Sequence, residues 1–174
     1  LGEAGEEEEP AELVAKRFLA AQAIMLALRG VPGIYFHSLF GSRSWQEGVH
    51  ETGRARTINR QKLDERGLSR ELSEQGSLRR LVFDGYGRML RARRNSAAFN
   101  PNGGQEILDL HPAVFALRRW SQDRSESVLC MQNVSNRAVT VSLPIGATFD
   151  LLKDKRFAAN SRLEIEPYEV VWLS

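Results

Sequence analysis

The sequence predicts an α/β segment over residues 1–96, followed by an all-β unit, an antiparallel β-sheet domain, over residues 97–174. Three observations lead there. A nearly apolar helical run, "FLAAQAIMLAL", passes through the tight turn "RGVPG" directly into the apolar stretch "IYFHSLF". A second helix with one apolar face follows a serine at position 77. After "NSAAFNPNGG" the helical period gives way to short alternating runs separated by turn residues.

Residues 1–10, "LGEAGEEEEP", are acidic and read as a solvated lead-in. Pro10 suits the entry of a helix over residues 11–28, because a helix's first N–H groups have no partner to lose. The first half of that helix is amphipathic. Its second half is apolar on nearly every side apart from Gln22, which requires cover on more than one side. The turn at residues 30–33 then feeds an expected strand over residues 34–40. Helix, tight turn and buried strand make half of a parallel α/β unit. Residues 41–60 read as a long loop after the C-terminal end of that strand, where α/β folds place their ligand sites.

Ser77 is placed to cap a helix running to Asn95. Leu78, Val82, Tyr86 and Met89 fall on one face; Arg80, Asp84, Arg88, Arg91 and Arg94 lie opposite. The expected strands are residues 105–110, 114–120, 127–133, 138–143, 148–152, 162–165 and 169–173, with turns at 133–136 and 144–146. Alternation is plain in "AVTVSL" and "RLEIE".

Composition narrows the function classes. The 174 residues are 42% hydrophobic and 26% charged, with a formal charge of +2, so no global field calls for nucleic acid. The arginine face of the second helix could form a nucleic-acid stripe. It carries Asp84 and no interleaved aromatic platform, and the simpler reading is a solvated face. Cys130 is the one cysteine and cannot make an internal disulfide, which points to a reducing compartment, the cytoplasm. It reads as a small core residue. The apolar run 18–28 is too short to span a bilayer, and an acidic rather than basic segment precedes it, so neither a membrane span nor a signal peptide is expected. His37, His50 and His111 are too scattered to argue for zinc, and no metal or cofactor is expected. "NVS" at Asn133 fits a glycosylation sequon by chance.

"GVPGIYFHSLFGS", followed by "GRARTINRQKL", an arginine-rich helix and the closing "PYEVVWL", resembles the α-amylase superfamily (glycoside hydrolase family 13). The branch is that of the sucrose phosphorylases and their glucosylglycerate phosphorylase relatives. The likeness covers residues 11–174. It implies that the Gly-Val-Pro-Gly turn feeds the eighth strand of a (β/α)₈ TIM barrel. Residues 11–28 would then be the seventh helix and 77–95 the eighth, and the segment from about residue 97 the family's C-terminal β-domain.

The resemblance also implies what this stretch lacks. Retaining enzymes of this type work through paired carboxylates about 5 Å apart, a nucleophile and a general acid. In the family they stand on the fourth and fifth strands, before the region matched here. The expectation is therefore the C-terminal part of a retaining α-glucoside phosphorylase or glucosyltransferase, with no catalytic residue in this chain and inactive alone. Its partners would be a sugar substrate, inorganic phosphate and an N-terminal barrel portion, with no nucleic acid and no membrane.

Matching "ARTINR" to the family's "GRDINR" puts Arg56 where the family has an arginine that binds the glucosyl unit. A guanidinium can give two parallel hydrogen bonds to adjacent hydroxyls. Alternatively Arg56 braces the loop by pairing with a carboxylate. Thr57 replaces the family's Asp, so Arg54 could share the role. Asn59 and Arg60 read as loop-ordering residues. His37 either faces the sugar or is a satisfied core histidine. Trp45 and Trp120 could stack on sugar faces, although Trp120 lies inside a β run and reads as core. The competing function is a stand-alone carbohydrate-binding or interaction module. The all-round apolar character of "FLAAQAIMLAL" and "GIYFHSLF" speaks for a barrel segment instead.

Overall fold

The computed structural model describes residues 9–143, 148–158 and 162–174. Most of the acidic lead-in and the turn expected at 144–146 lie outside these residues. Two compact units form: Phe18 and the residues before it with Gly33–Tyr86, and Leu19–Pro32 with Gly87–Ser174.

In the first unit, helix α1 begins at Ala11 and continues to Ala27. Pro10 supplies the carbonyl that accepts from the Leu13 and Val14 N–H groups, as its place at the helix entry requires. Val14 and Ala15 are buried, and the Phe18 ring meets Tyr86 edge-on at 6.3 Å. The strand expected over residues 34–40 does not form. Phe36–Leu39 is instead a single helical turn, α2, and Tyr35 and Phe36 remain 49% and 54% exposed. A parallel strand exists only through neighbours that take up its N–H and C=O groups, and no described residue of this unit is in a strand. The apolar sequence alone does not supply them.

The long loop is also more ordered than expected. Helix α3 spans Gln46–Thr52 and a 3₁₀ helix spans Ala55–Asn59; beyond the loop a further helix, α4, spans Glu65–Ser73. Asp64 caps α4 by accepting from the Gly67 N–H at 2.7 Å. Helix α5, Leu78–Asn95, starts where the sequence indicates. The Ser77 hydroxyl accepts from the Arg80 N–H at 3.1 Å, and Val82, Tyr86 and Met89 are buried. On the opposite face Arg80 pairs with Asp84 at 2.5 Å, one helical turn on.

The second unit is a two-layer β structure. Strands β1 (Gly104–His111), β2 (Val114–Trp120), β3 (Ser127–Asn133), β4 (Val139–Ser142), β5 (Phe149–Asp150), β6 (Lys155–Arg156), β7 (Arg162–Ile165) and β8 (Val170–Leu173) are all antiparallel. The main sheet has the order β1-β2-β3-β8-β5-β6, and β4 pairs with β7 in a second sheet. Alternate residues of β2, β3 and β8, among them Ala116, Leu129, Met131, Val171 and Leu173, meet Val141, Leu163 and Ile165 of the small sheet in one core. The intervening residues Leu117, Arg119, Val128, Cys130 and Trp172 are buried too. β3 is therefore covered on both faces, although antiparallel.

Two arginines hold the other side of this sheet. Arg119 is fully buried, and its guanidinium donates to the carbonyls of Ala27 (2.9 Å), Asn100 (2.8 Å) and Gly104 (3.1 Å). Arg93 donates to the carbonyls of Leu26 and Gly30. Both lie over the buried Phe99 ring, at 5.9 and 5.4 Å, and that ring tilts against Trp172. Helix α1 has no basic residue in its last turn. Its orphan carbonyls are satisfied by guanidinium groups from far along the chain.

Candidate functional site

The region that carries the expected site residues belongs to the first unit and begins at the turn of α2. Gly41 follows α2 with φ +59°, a left-handed conformation, and a Cβ there would stand 2.9 Å from Val82 Cγ2. Glycine therefore lets the backbone pass against α5. Beyond it the Ser42 N–H donates back to the His37 carbonyl at 2.9 Å, which brings Ser42 Oγ to 3.0 Å from His37 Nδ1.

Arg79 on α5 locks this fold-back. Its Nη1 donates to Ser42 Oγ at 3.0 Å and to the Phe40 carbonyl at 3.2 Å, and its Nε pairs with Glu71 of α4 at 2.6 Å. Phe40 and Phe83 stack beside it, their planes 5° apart. His37 is half-buried, its ring 5.4 Å from that of Tyr35 and 5.5 Å from that of Phe36. Burial, and then the neighbouring Arg79 charge, hold its pKa below the ordinary histidine value. His37 is thus neither a free pocket residue nor an isolated core histidine. It ends a chain of hydrogen bonds.

The segment with Arg54 and Arg56 is tied to the same place. The Tyr35 hydroxyl donates to the Asn59 carbonyl at 2.9 Å, and the Trp45 N–H donates to the Ile58 carbonyl at 2.6 Å. Thr52 Oγ1 bonds Thr57 Oγ1 at 3.0 Å, so the threonine that replaces the family's aspartate closes the loop on a neutral partner. Within this frame Arg54 is the N-cap of the 3₁₀ helix and Arg56 lies inside it. Both are exposed, and neither guanidinium has a hydrogen bond or ion pair with a described residue. The carboxylate brace considered for Arg56 is not made.

Trp45 is half-buried and lies over Gly48, whose absent Cβ would otherwise fall inside the indole. It lines a cavity of about 270 Å³ with Arg43, Glu47, Gln61, Glu71 and Arg79. None of His37, Arg54 and Arg56 lines it. Ser42, Glu71 and Arg79 were not singled out from sequence. Ser42 is visible as the end of "GIYFHSLFGS", but nothing in the spacing joins it to an arginine 37 residues later.

Other candidates resolve as structural. Asn133 is buried, and its amide donates to the carbonyls of Arg137, Ile165 and Glu166, so the sequon is closed to modification. Cys130 is fully buried, which raises its thiol pKa. Trp120 covers Gly104 and stands 5.9 Å from the Arg124 guanidinium. In the second unit, the cleft beside Val31 and Asn100 is lined by Arg93 and Glu126. Both of these are engaged internally, Glu126 by Ser96 and the Ala97 N–H. Among the described residues no cluster of three or more His, Cys, Asp or Glu could hold a metal, and no helix is long and apolar enough to cross a membrane.

No protein-family model matches the chain. Curated proteins do. A glucosylglycerate phosphorylase of Spirochaeta thermophila is 57% identical over 122 residues, 70% of this chain and 21% of the relative. Another, from Allomeiothermus silvanus, is 36% identical over 166 residues, 95% of this chain and 28% of the relative. The chain thus spans between a fifth and somewhat over a quarter of the curated relatives it matches. Among solved structures, the trehalulose synthase of Pseudomonas mesoacidophila MX-45 superposes with a TM-score of 0.69 at 20% identity, over 97% of this chain and 39% of that one. Glucosylglycerate phosphorylases are therefore homologues of this chain, and its helices and antiparallel sheet have the fold of the C-terminal region of glycoside hydrolase family 13 enzymes.

Proposed function

We propose that the chain is the C-terminal part of a retaining α-glucoside phosphorylase acting on glucosylglycerate-like or sucrose-like donors in the cytoplasm. The observation that carries the reading is the 57% identity with a glucosylglycerate phosphorylase over 70% of the chain. Residues 1–96 would complete a (β/α)₈ barrel and residues 97–174 would form the C-terminal β-domain. The half-exposed Tyr35, Phe36 and Phe83 support a further part of the protein covering the first unit.

In this reading the carboxylate pair lies in that further part, and the isolated 174 residues release no glucose 1-phosphate. The nucleophile carboxylate displaces the leaving alcohol at the anomeric carbon while the general acid protonates its oxygen. A phosphate oxygen then attacks the same carbon, the enzyme carboxylate leaves, and glucose 1-phosphate forms. The present residues bind and orient. Arg56 takes the glucosyl hydroxyls as a bidentate donor, Arg54 stands beside it, and His37 approaches from α2.

The test is Arg56→Lys in the full-length enzyme. It keeps the charge and loses the fork, removing one or two hydrogen bonds worth roughly 1.5–3 kcal/mol each. The kcat/KM should fall at least about tenfold with little change in Tm, since the exposed side chain supports no packing. Arg60→Lys should leave kcat/KM near its starting value. Loss at Arg54→Lys instead would move the sugar contact there. Loss at neither would make the loop structural and remove these residues from the site.

A further inference from the structure

We infer that Ser42 and Arg79 are positioning residues that hold His37 as a neutral imidazole with its proton on Nε2, presenting an N–H donor to a sugar hydroxyl. The inference rests on the reading that His37 faces the sugar, and deepens it by stating what the ring can recognise.

The polarity follows from counting hydrogens along the chain of contacts. A guanidinium can only donate, so at 3.0 Å Ser42 Oγ accepts from Arg79 Nη1. The hydroxyl keeps one hydrogen, which needs an acceptor. The remaining contact of Oγ among the described residues is His37 Nδ1, also at 3.0 Å. Nδ1 therefore accepts, and in the neutral ring the proton stands on Nε2. The two other bonds of Arg79, to Glu71 and to the Phe40 carbonyl, fix the guanidinium that starts the sequence.

The charged groups on this chain are Arg79 and its partner Glu71; the Tyr35 and Phe36 rings flank the imidazole. Burial and Arg79 both disfavour the imidazolium, in agreement with the same polarity. The chemical consequence is selective. A neutral N–H donor suits a hydroxyl oxygen and offers no net charge to an anion. Attraction of phosphate, or of an acidic leaving group, is left to the unpaired guanidinium of Arg54.

The deciding measurement is the ring-nitrogen spectrum of His37 in full-length protein labelled with ¹⁵N-histidine, assigned by comparison with His37→Gln. The expected pattern at pH 7 has Nδ1 bare and Nε2 protonated. A protonated Nδ1, in the other tautomer or the imidazolium, overturns the inference. Ser42→Ala and Arg79→Gln should shift the tautomer ratio by about fivefold, the equivalent of one lost hydrogen bond, and Arg79→Lys should recover part of it. Should these variants not fold, the spectrum of the unaltered protein still decides. Kinetics separates the two claims. If His37 meets the sugar, Ser42→Ala lowers kcat/KM for the glucosyl donor and leaves KM for phosphate unmoved. An Nε2–H tautomer with unchanged donor kinetics in both Ser42→Ala and His37→Gln keeps the positioning and refutes the sugar contact.

Discussion

In the second unit, β3 lies between β2 and β8 and is covered on both faces, so packing and ladder hydrogen bonds fall on the same residues. In the first unit, residues 33–60 hold their shape differently. Short helical turns are tied by single contacts: Tyr35 to Asn59, Trp45 to Ile58, Ser42 to Arg79. The side chains of the candidate site stand out from these turns, half-buried or exposed. One region thus gains stability from cooperative burial and the other gains adaptable surface from a few polar locks. Binding residues are commonly found in the second kind of region, because a packed strand leaves no polar group free for a ligand.

The contrast can be broken most sharply at Arg119, a charge inside the well-packed unit. Arg119→Leu leaves the carbonyls of Ala27, Asn100 and Gly104 without their donor, and each unsatisfied buried group costs about 1–3 kcal/mol. A loss of roughly 3 kcal/mol or more is expected in urea unfolding, against less than about 0.5 kcal/mol for the neighbouring Arg118→Leu. Similar small losses for both would mean that the apolar core alone holds this unit.

The polar-locked unit should show a smaller, decomposable effect at Gly41. Gly41→Ala adds a Cβ 2.9 Å from buried Val82 and forces a left-handed alanine, for about 2 kcal/mol. In a Val82→Ala background the contact with Cγ2 disappears and the approach to Cβ at 3.1 Å remains, so the cost should shrink toward the about 1 kcal/mol of the backbone alone. An undiminished cost would show that the fold-back depends on φ rather than on close approach to α5.

The smallest effect is expected at Asp150 in β5. Its side chain is buried; Oδ1 accepts from the Leu152 N–H at 2.9 Å, and Oδ2 has no partner among the described residues. Burial raises its pKa in the folded state despite those backbone contacts. The folded protein then keeps this proton after the unfolded chain has released it. Stability is therefore lost as pH rises from the ordinary aspartate range through the raised value. Asp150→Asn should match the parent in acid and exceed it at pH 7 by on the order of 1 kcal/mol, read from paired denaturant melts at the two pH values. Equal gains at both would assign the effect to packing.

What the sequence determined by itself was local. Pro10 and Ser77 mark helix starts because a helix end is satisfied by the residues beside it. Short apolar runs between turn residues place β2 and β3 at residues 114–120 and 127–133, and alternation places β7 at 162–165, because run length, turn residues and side-chain period are properties of a single strand. "GIYFHSLF" reads as a strand and folds as a helical turn, because apolar content is shared by strands and partly covered turns and only partner backbone separates them. The capping of α1 by Arg93 and Arg119 was likewise invisible, since rules for helix ends look for basic residues in the last turn and these lie 67 and 92 residues from the carbonyls they meet. His37 and Arg56 could be named from a motif. The proton position of His37 could not, because it depends on Arg79 reaching Ser42 across 37 residues. Periodicity and capping are short-range and legible in one dimension. Hydrogen-bond partners across the fold are fixed only when the chain has closed on itself.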